Sequence, residues 1–228
     1  MRGTRLVALT TAAAAALTVG VIAATAGNGT ATKATGSHAG HATLSTGAMA
    51  PSASNVRSLL GKQLGEHAIL AMNATNMGVT GSKSFPAAAK ALDRNSVELS
   101  KTIGSVYGNA AAKKFLDGKF QWRAHIGFFV DYTVATAKKN KAGQSKAVAN
   151  LTRYTKEHGA FLAGATGLPR LAVQNDLLGH VLELKNQLDA YAAGDYTKAA
   201  NIYRDAYAHM FMTGDLLAGA IAKQKNLK

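Results

Sequence analysis

The chain contains no cysteine. Disulfides, thiolate metal sites, iron–sulfur clusters and covalently attached c-type haem are therefore excluded. Acidic residues are also scarce, with 12 Asp and Glu against 26 Lys and Arg and a formal charge of +14. Di-iron carboxylate sites need inward glutamates and Glu-x-x-His motifs. No Glu-x-x-His occurs here, and neither do the His-x-x-x-Glu/His pairs of a hemerythrin-like site. A nucleophile elbow, a phosphate-cradling glycine loop and His-Glu-x-x-His are missing as well. Turnover is thus not the expected role. A buried His–Tyr or His–Asp pair is the remaining enzymatic arrangement, and nothing names a substrate for it.

Proline is rare, at three residues. Pro86 and Pro169 fall at expected helix starts, where proline is tolerated. No stretch shows strand-like alternation bounded by turn signals. The pattern from Asn55 onward is helical, and six helices fit: 55–78, 85–107, 110–140, 142–165, 169–192 and 195–224. Ser84 is expected to cap the second, Gly108 to end it, and Gly194-Asp195 to stop one helix and start the next.

Residues 1–26 read as a secretory signal. Arg2 and Arg5 form its positive start, Leu6 to Ala24 its apolar run, and Ala24-Thr25-Ala26 a small-x-small cleavage site. An uncleaved anchor is the alternative. Residues 27–53 are rich in Gly, Ala, Ser and Thr and read as a flexible linker. His38, His41 and Met49 within it are expected to be chance features of low-complexity sequence. The remaining stretch, 54–228, is long enough for one buried domain. The expected location is secreted, extracellular or associated with the cell envelope. The basic surface would then attract anionic envelope polymers or a membrane surface. Nucleic acid is not an expected partner, because the lysines are scattered and aromatics make up only 7% of residues.

An internal repeat appears when the helices are paired. Glu66-His67-Ala68, Ala124-His125-Ile126 and Gly179-His180-Val181 align in the first helices of three pairs. Asp93-Arg94, Thr152-Arg153 and Tyr203-Arg204 align in the second helices, with His158 and His209 following in two of them. The expected fold is all-α, a bundle of three tandem αα-hairpins.

All five histidines of this domain lie on apolar stripes at about 100° per residue. His67 sits among Leu60, Leu64 and Ala71, and His125 among Trp122, Phe129 and Tyr132. His158 sits with Leu151, Tyr154 and Leu162, and His180 with Leu177, Leu184 and Leu188. His209 shares a stripe with Ile202, Ala206, Thr213, Leu216 and Ala220. Imidazole suits Cu, Zn, Fe and Ni, and thioether selects Cu(I). His209 with Met212 three residues on points to copper before zinc. The expected ligands are His67, His125, His180 and His209, with Met212 and Glu66 secondary and His158 in reserve. Glu183 is a further carboxylate partner, and Met210 is expected to fill core space.

The strings Leu64-Gly65-Glu66-His67, WRAHIGFFVDYT (122–133), QLDAYAAGDY (187–196) and YAHMFMT (207–213) resemble those of a family of secreted bacterial all-helical proteins often labelled copper amine oxidase. The resemblance covers about residues 55 to 225. It implies a helical exported protein and adds weight to copper. The Asn-Tyr-Asp/Glu string that quinone-type amine oxidases convert into their cofactor is missing, so amine oxidase activity is not implied.

Two readings stand at this stage. One is a metal-binding protein for copper binding or buffering. The other is a non-metal interaction module, in which satisfied core histidines support a basic surface that docks onto anionic polymers. Buried imidazoles would then need partners, for which Tyr132, Tyr154 and Tyr207 are available.

Overall fold

The computed structural model describes residues 51–228. The expected signal segment, His38, His41 and Met49 lie outside the described residues, as does all but the end of the expected linker. That end is structured: Ser52 Oγ accepts a hydrogen bond from Asn55 N and caps a helix that begins at Ala53.

Seven helices occur among the described residues, and no strand. They are α1 (Ala53–Val79), α2 (Phe85–Tyr107), α3 (Asn109–Leu116), α4 (Trp122–Ala137), α5 (Lys141–Thr166), α6 (Arg170–Ala192) and α7 (Tyr196–Lys225). No described helix is long and apolar enough to cross a membrane. The six-helix expectation fails at one place. The helix expected over 110–140 is cut between Leu116 and Trp122, where Asp117 turns extended and Gly118 adopts φ +146°. Only glycine enters that region at no steric cost. A Cβ there would also lie 2.8 Å from Gln121 Cγ.

The terminator residues act largely as their chemistry dictates. Gly108 ends α2 at φ +85°, and Asp195 accepts from Lys198 N at the start of α7. Asn140 caps α5 through Gly143 N. Ser84 differs, for its side chain makes no cap bond; Ser82 Oγ instead accepts from Ser84 N.

α1 is the central helix and packs against α2, α4, α6 and α7. The expected hairpin partners α1 and α2, α4 and α5, and α6 and α7 do touch, but α1 packs most extensively on α7. The architecture is thus wrapped around α1 instead of laid out as three hairpins in tandem. Glycine explains the α1–α7 contact. A Cβ on Gly214 would lie 2.8 Å from Leu60 O and 2.9 Å from Gly61 Cα, so only a bare backbone permits this approach.

That contact also rotates α7. Its buried face runs through Ala206, Met210, Thr213, Gly214, Leu217, Ala218 and Ile221. The stripe read from sequence through His209 and Leu216 is displaced toward the edge, and Leu216 is exposed. Close-packing small residues contribute little to a hydrophobic period, yet they decide which side of a helix is covered. Leu60, Leu99, Leu151, Leu177 and Met210 belong to one large core joined by most of the helices.

Candidate metal centre

Four helices each carry one buried histidine, and three of these histidines meet. On α1, Leu64 and Ala71 flank His67; on α4, Trp122 and Phe129 flank His125; on α6, Leu177 and Leu184 flank His180. Because α1 packs against both α4 and α6, its histidine meets the other two. All three side chains are fully buried.

One ring nitrogen from each of His67, His125 and His180 can be chosen so that all three lie within 4.8 Å of one another. The Nε2 atoms of His67 and His125 are 3.3 Å apart. Two nitrogens bound tetrahedrally to one metal at about 2.0–2.1 Å lie about 3.3–3.4 Å apart, so this pair already has a ligand spacing. The rings of His67 and His180 are 5.7 Å apart between centroids.

Hydrogen bonding sets the tautomer of one member. His125 Nδ1 faces the carbonyl oxygen of Trp122, one turn back on α4. A carbonyl only accepts, so Nδ1 carries the proton and Nε2 presents its lone pair toward His67. An Nδ1–H to a backbone carbonyl is the arrangement that orients metal-bound imidazoles. The other two rings lack such partners. His67 Nδ1 and both nitrogens of His180 are buried without a hydrogen-bond partner among the described residues. Tyrosine does not satisfy them. Tyr132 donates to Asp189, Tyr154 Oη is itself buried without a partner among the described residues, and Tyr207 is exposed with its ring over Gly65.

The three imidazoles are neutral at pH 7. Burial pushes His67 well below its ordinary value, helped by the neighbouring His125 and His180. Burial takes His125 to about 3, with His158 adding to the drop and the Trp122 carbonyl opposing it. His180 is likewise at about 3, chiefly by burial. Metal ligation needs this neutral form, and burial supplies it.

The other expected ligands lie outside the triad. His158 is fully buried on α5, stacked on Tyr154 at 5.2 Å, with Nδ1 2.6 Å from Gln121 Oε1. Tyr154 stacks on His125 at 4.5 Å and so stands between the two histidines. Glu66 Oε2 accepts from Asn95 Nδ2 on α2. Met212 is 69% exposed, so its thioether is at the surface; the buried sulfur on α7 belongs to Met210, which fills core space as expected.

His209 is held between two carboxylates. Its Nδ1 is 2.8 Å from Glu183 Oε2 and its Nε2 is 3.3 Å from Asp176 Oδ1. Both ring nitrogens therefore donate, and the bonds to Asp176 and Glu183 raise its pKa to about 10. A protonated imidazole offers no lone pair to a metal. Gly179 makes room for the ring, since a Cβ there would lie 3.1 Å from His209 Cε1. Asp176 was not among the residues singled out from the sequence. Its spacing of seven residues from Glu183 on α6, two helical turns, was the available signal.

No known family model, curated protein or solved structure matches the chain.

Proposed function

We propose that this protein binds a metal ion at His67, His125 and His180, with copper(I) the preferred occupant, and that its role is binding, buffering or delivery. The observation that carries the reading is the convergence of three buried, neutral imidazoles with His125 locked in its metal-binding tautomer. Unpartnered buried polar atoms are costly, and a cation that takes the lone pairs removes part of that cost.

Charge favours the monovalent ion. No carboxylate belongs to the triad. The cost of burying a charge rises steeply with its size, so an uncharged, dry ligand set tolerates Cu(I) better than a divalent ion. Imidazole is an accepted copper ligand, and no thioether is needed for this argument. An exported location and a copper task are part of the same proposal, consistent with a chain that has no cysteine to oxidise.

The test is an anaerobic Cu(I) titration against a chromophoric chelator, with Zn(II) in parallel. Stoichiometric Cu(I) binding is expected, weakened more than about 100-fold in His67→Leu and His180→Leu and retained in His209→Ala. Absence of stoichiometric metal, or unchanged affinity in both triad variants, overturns the proposal.

A further inference from the structure

A second feature lies apart from the triad. A cavity of about 90 Å³ opens among all seven described helices, with α4 contributing only its first residue, Trp122. Its inner end is walled by Leu64, Leu177, Met210 and Trp122, all buried. Its outer end is walled by half-buried Ile103, Tyr107, Phe161 and Ala165.

The lining presents only apolar surface. The polar groups among its residues are engaged elsewhere. Trp122 Nε1 donates to Ser96 Oγ, Thr166 Oγ1 to Leu162 O, and Thr213 Oγ1 to Asp176 Oδ2. The single hydroxyl hydrogen of Tyr107 is shared between two acceptors, Ala165 O at 2.9 Å and Gln224 Oε1 at 2.7 Å. A buried water needs two to four polar partners, and none is offered here. A void of this kind is dry, and its walls forgo dispersion contacts that a close-packed core would make.

We infer that this cavity is a binding site for a small apolar group, a free hydrocarbon of at most benzene size or the terminal carbons of an acyl chain. Engineered dry cavities of about 150 Å³ accept benzene or xenon, so the space here suits a group of that order or smaller. The outer end has the means to admit one. The Tyr107 hydroxyl latches α2 to α5 and α7 across it, and the Lys225 ammonium stands 4.4 Å from the Tyr107 ring. Release of the one shared hydrogen bond at a half-exposed hydroxyl opens the way in. The carboxylate of an acyl ligand would then meet Lys225 outside, while its tail displaced no water inside. The inference is independent of the metal reading, because it uses none of the three histidines.

Trp122 is the sole tryptophan of the chain and forms part of the wall, which provides a reporter. Xenon, a heavy-atom quencher smaller than benzene, is titrated by pressure into the full chain and Trp122 fluorescence is followed, with benzene and octanoate as competitors. Saturable quenching reversed by benzene is expected. Reversal by octanoate, weakened in Lys225→Ala, identifies the acyl source; reversal by benzene alone identifies the free hydrocarbon. Ala111→Leu and Ala165→Leu each place three extra carbons in the space and are expected to abolish saturation while the circular dichroism stays helical. Purely collisional quenching in the parent protein overturns the inference, as does saturation that persists in either folded variant.

Discussion

His67 and His125 face each other with their Nε2 atoms 3.3 Å apart, and the second ring is held by the Trp122 carbonyl at its far nitrogen. In the metal-free protein, only one of these two Nε2 atoms can carry a proton, so His67 must donate and leave its buried Nδ1 as a bare acceptor. His180 adds two more unsatisfied atoms. The triad is thus a place where the apo core is held in a costly state.

His180→Leu is therefore expected to leave the metal-free protein as stable as the parent or more so. It removes two buried atoms that have no partner and replaces the ring with an apolar side chain of similar size. Gains of about 1–3 kcal/mol follow from relieving such groups. Metal-dependent stabilisation is lost in the same variant. Urea melts with and without Cu(I) check both halves, and a large loss of apo stability would show that His180 has a hydrogen-bond partner.

Bound metal is expected to raise the melting temperature of the parent. A ligand at about 100 times its Kd stabilises the folded state by about 2.7 kcal/mol, or roughly 5–10 °C for a domain of this size. Met212→Leu is expected to leave the shift within error, because the Met212 side chain is at the surface. Calorimetric melts of both proteins with Cu(I) decide this.

Stability is expected to peak near pH 6.5. His125, His158 and His180 have folded values of about 3, below the ordinary 6.5. Between those limits the unfolded chain binds more protons than the folded one, so stability falls as pH drops from about 6.5 toward 3. His209 works in the opposite sense. Its folded value of about 10 means that its contribution is complete below 6.5 and is lost as pH rises toward 10. Denaturant midpoints across pH 4 to 10 test the shape. Asp176→Asn and Glu183→Gln are each expected to lower the His209 pKa, read by NMR titration, and to flatten the alkaline limb.

Gly214→Ala is expected to destabilise by about 1–3 kcal/mol. Its new methyl would meet the backbone of Leu60 and Gly61, which cannot move without shifting α1. Gly65→Ala is expected to cost less, although its Cβ would stand 2.9 Å from Tyr207 Cε2, because that exposed ring can swing aside. Thermal melts of the two variants rank the costs.

Much of the helical layout was legible in the residues. Gly108 and Asp195 act locally, through backbone geometry and a single hydrogen bond, and their effect does not depend on distant parts of the chain. Four of the five histidine-bearing stripes are buried for the same reason, since a wide apolar stripe leaves one way to face a core. The aligned positions His67, His125 and His180 are the three that converge. The α7 reading failed because Gly214 and Ala218 carry almost no hydrophobic signal, and their value lies in what they allow a neighbouring helix to do.

Composition and pattern alone determined an all-helical chain without thiol chemistry, with neutralisable histidines set into apolar faces. Only the tertiary structure decided which histidines share a site. Helical periodicity specifies an angle about one axis and says nothing about the spacing between axes. The packing of α1 against α4 and α6 brings His67, His125 and His180 together. The Tyr154 ring keeps His158 apart, and two carboxylates on α6 claim the nitrogens of His209.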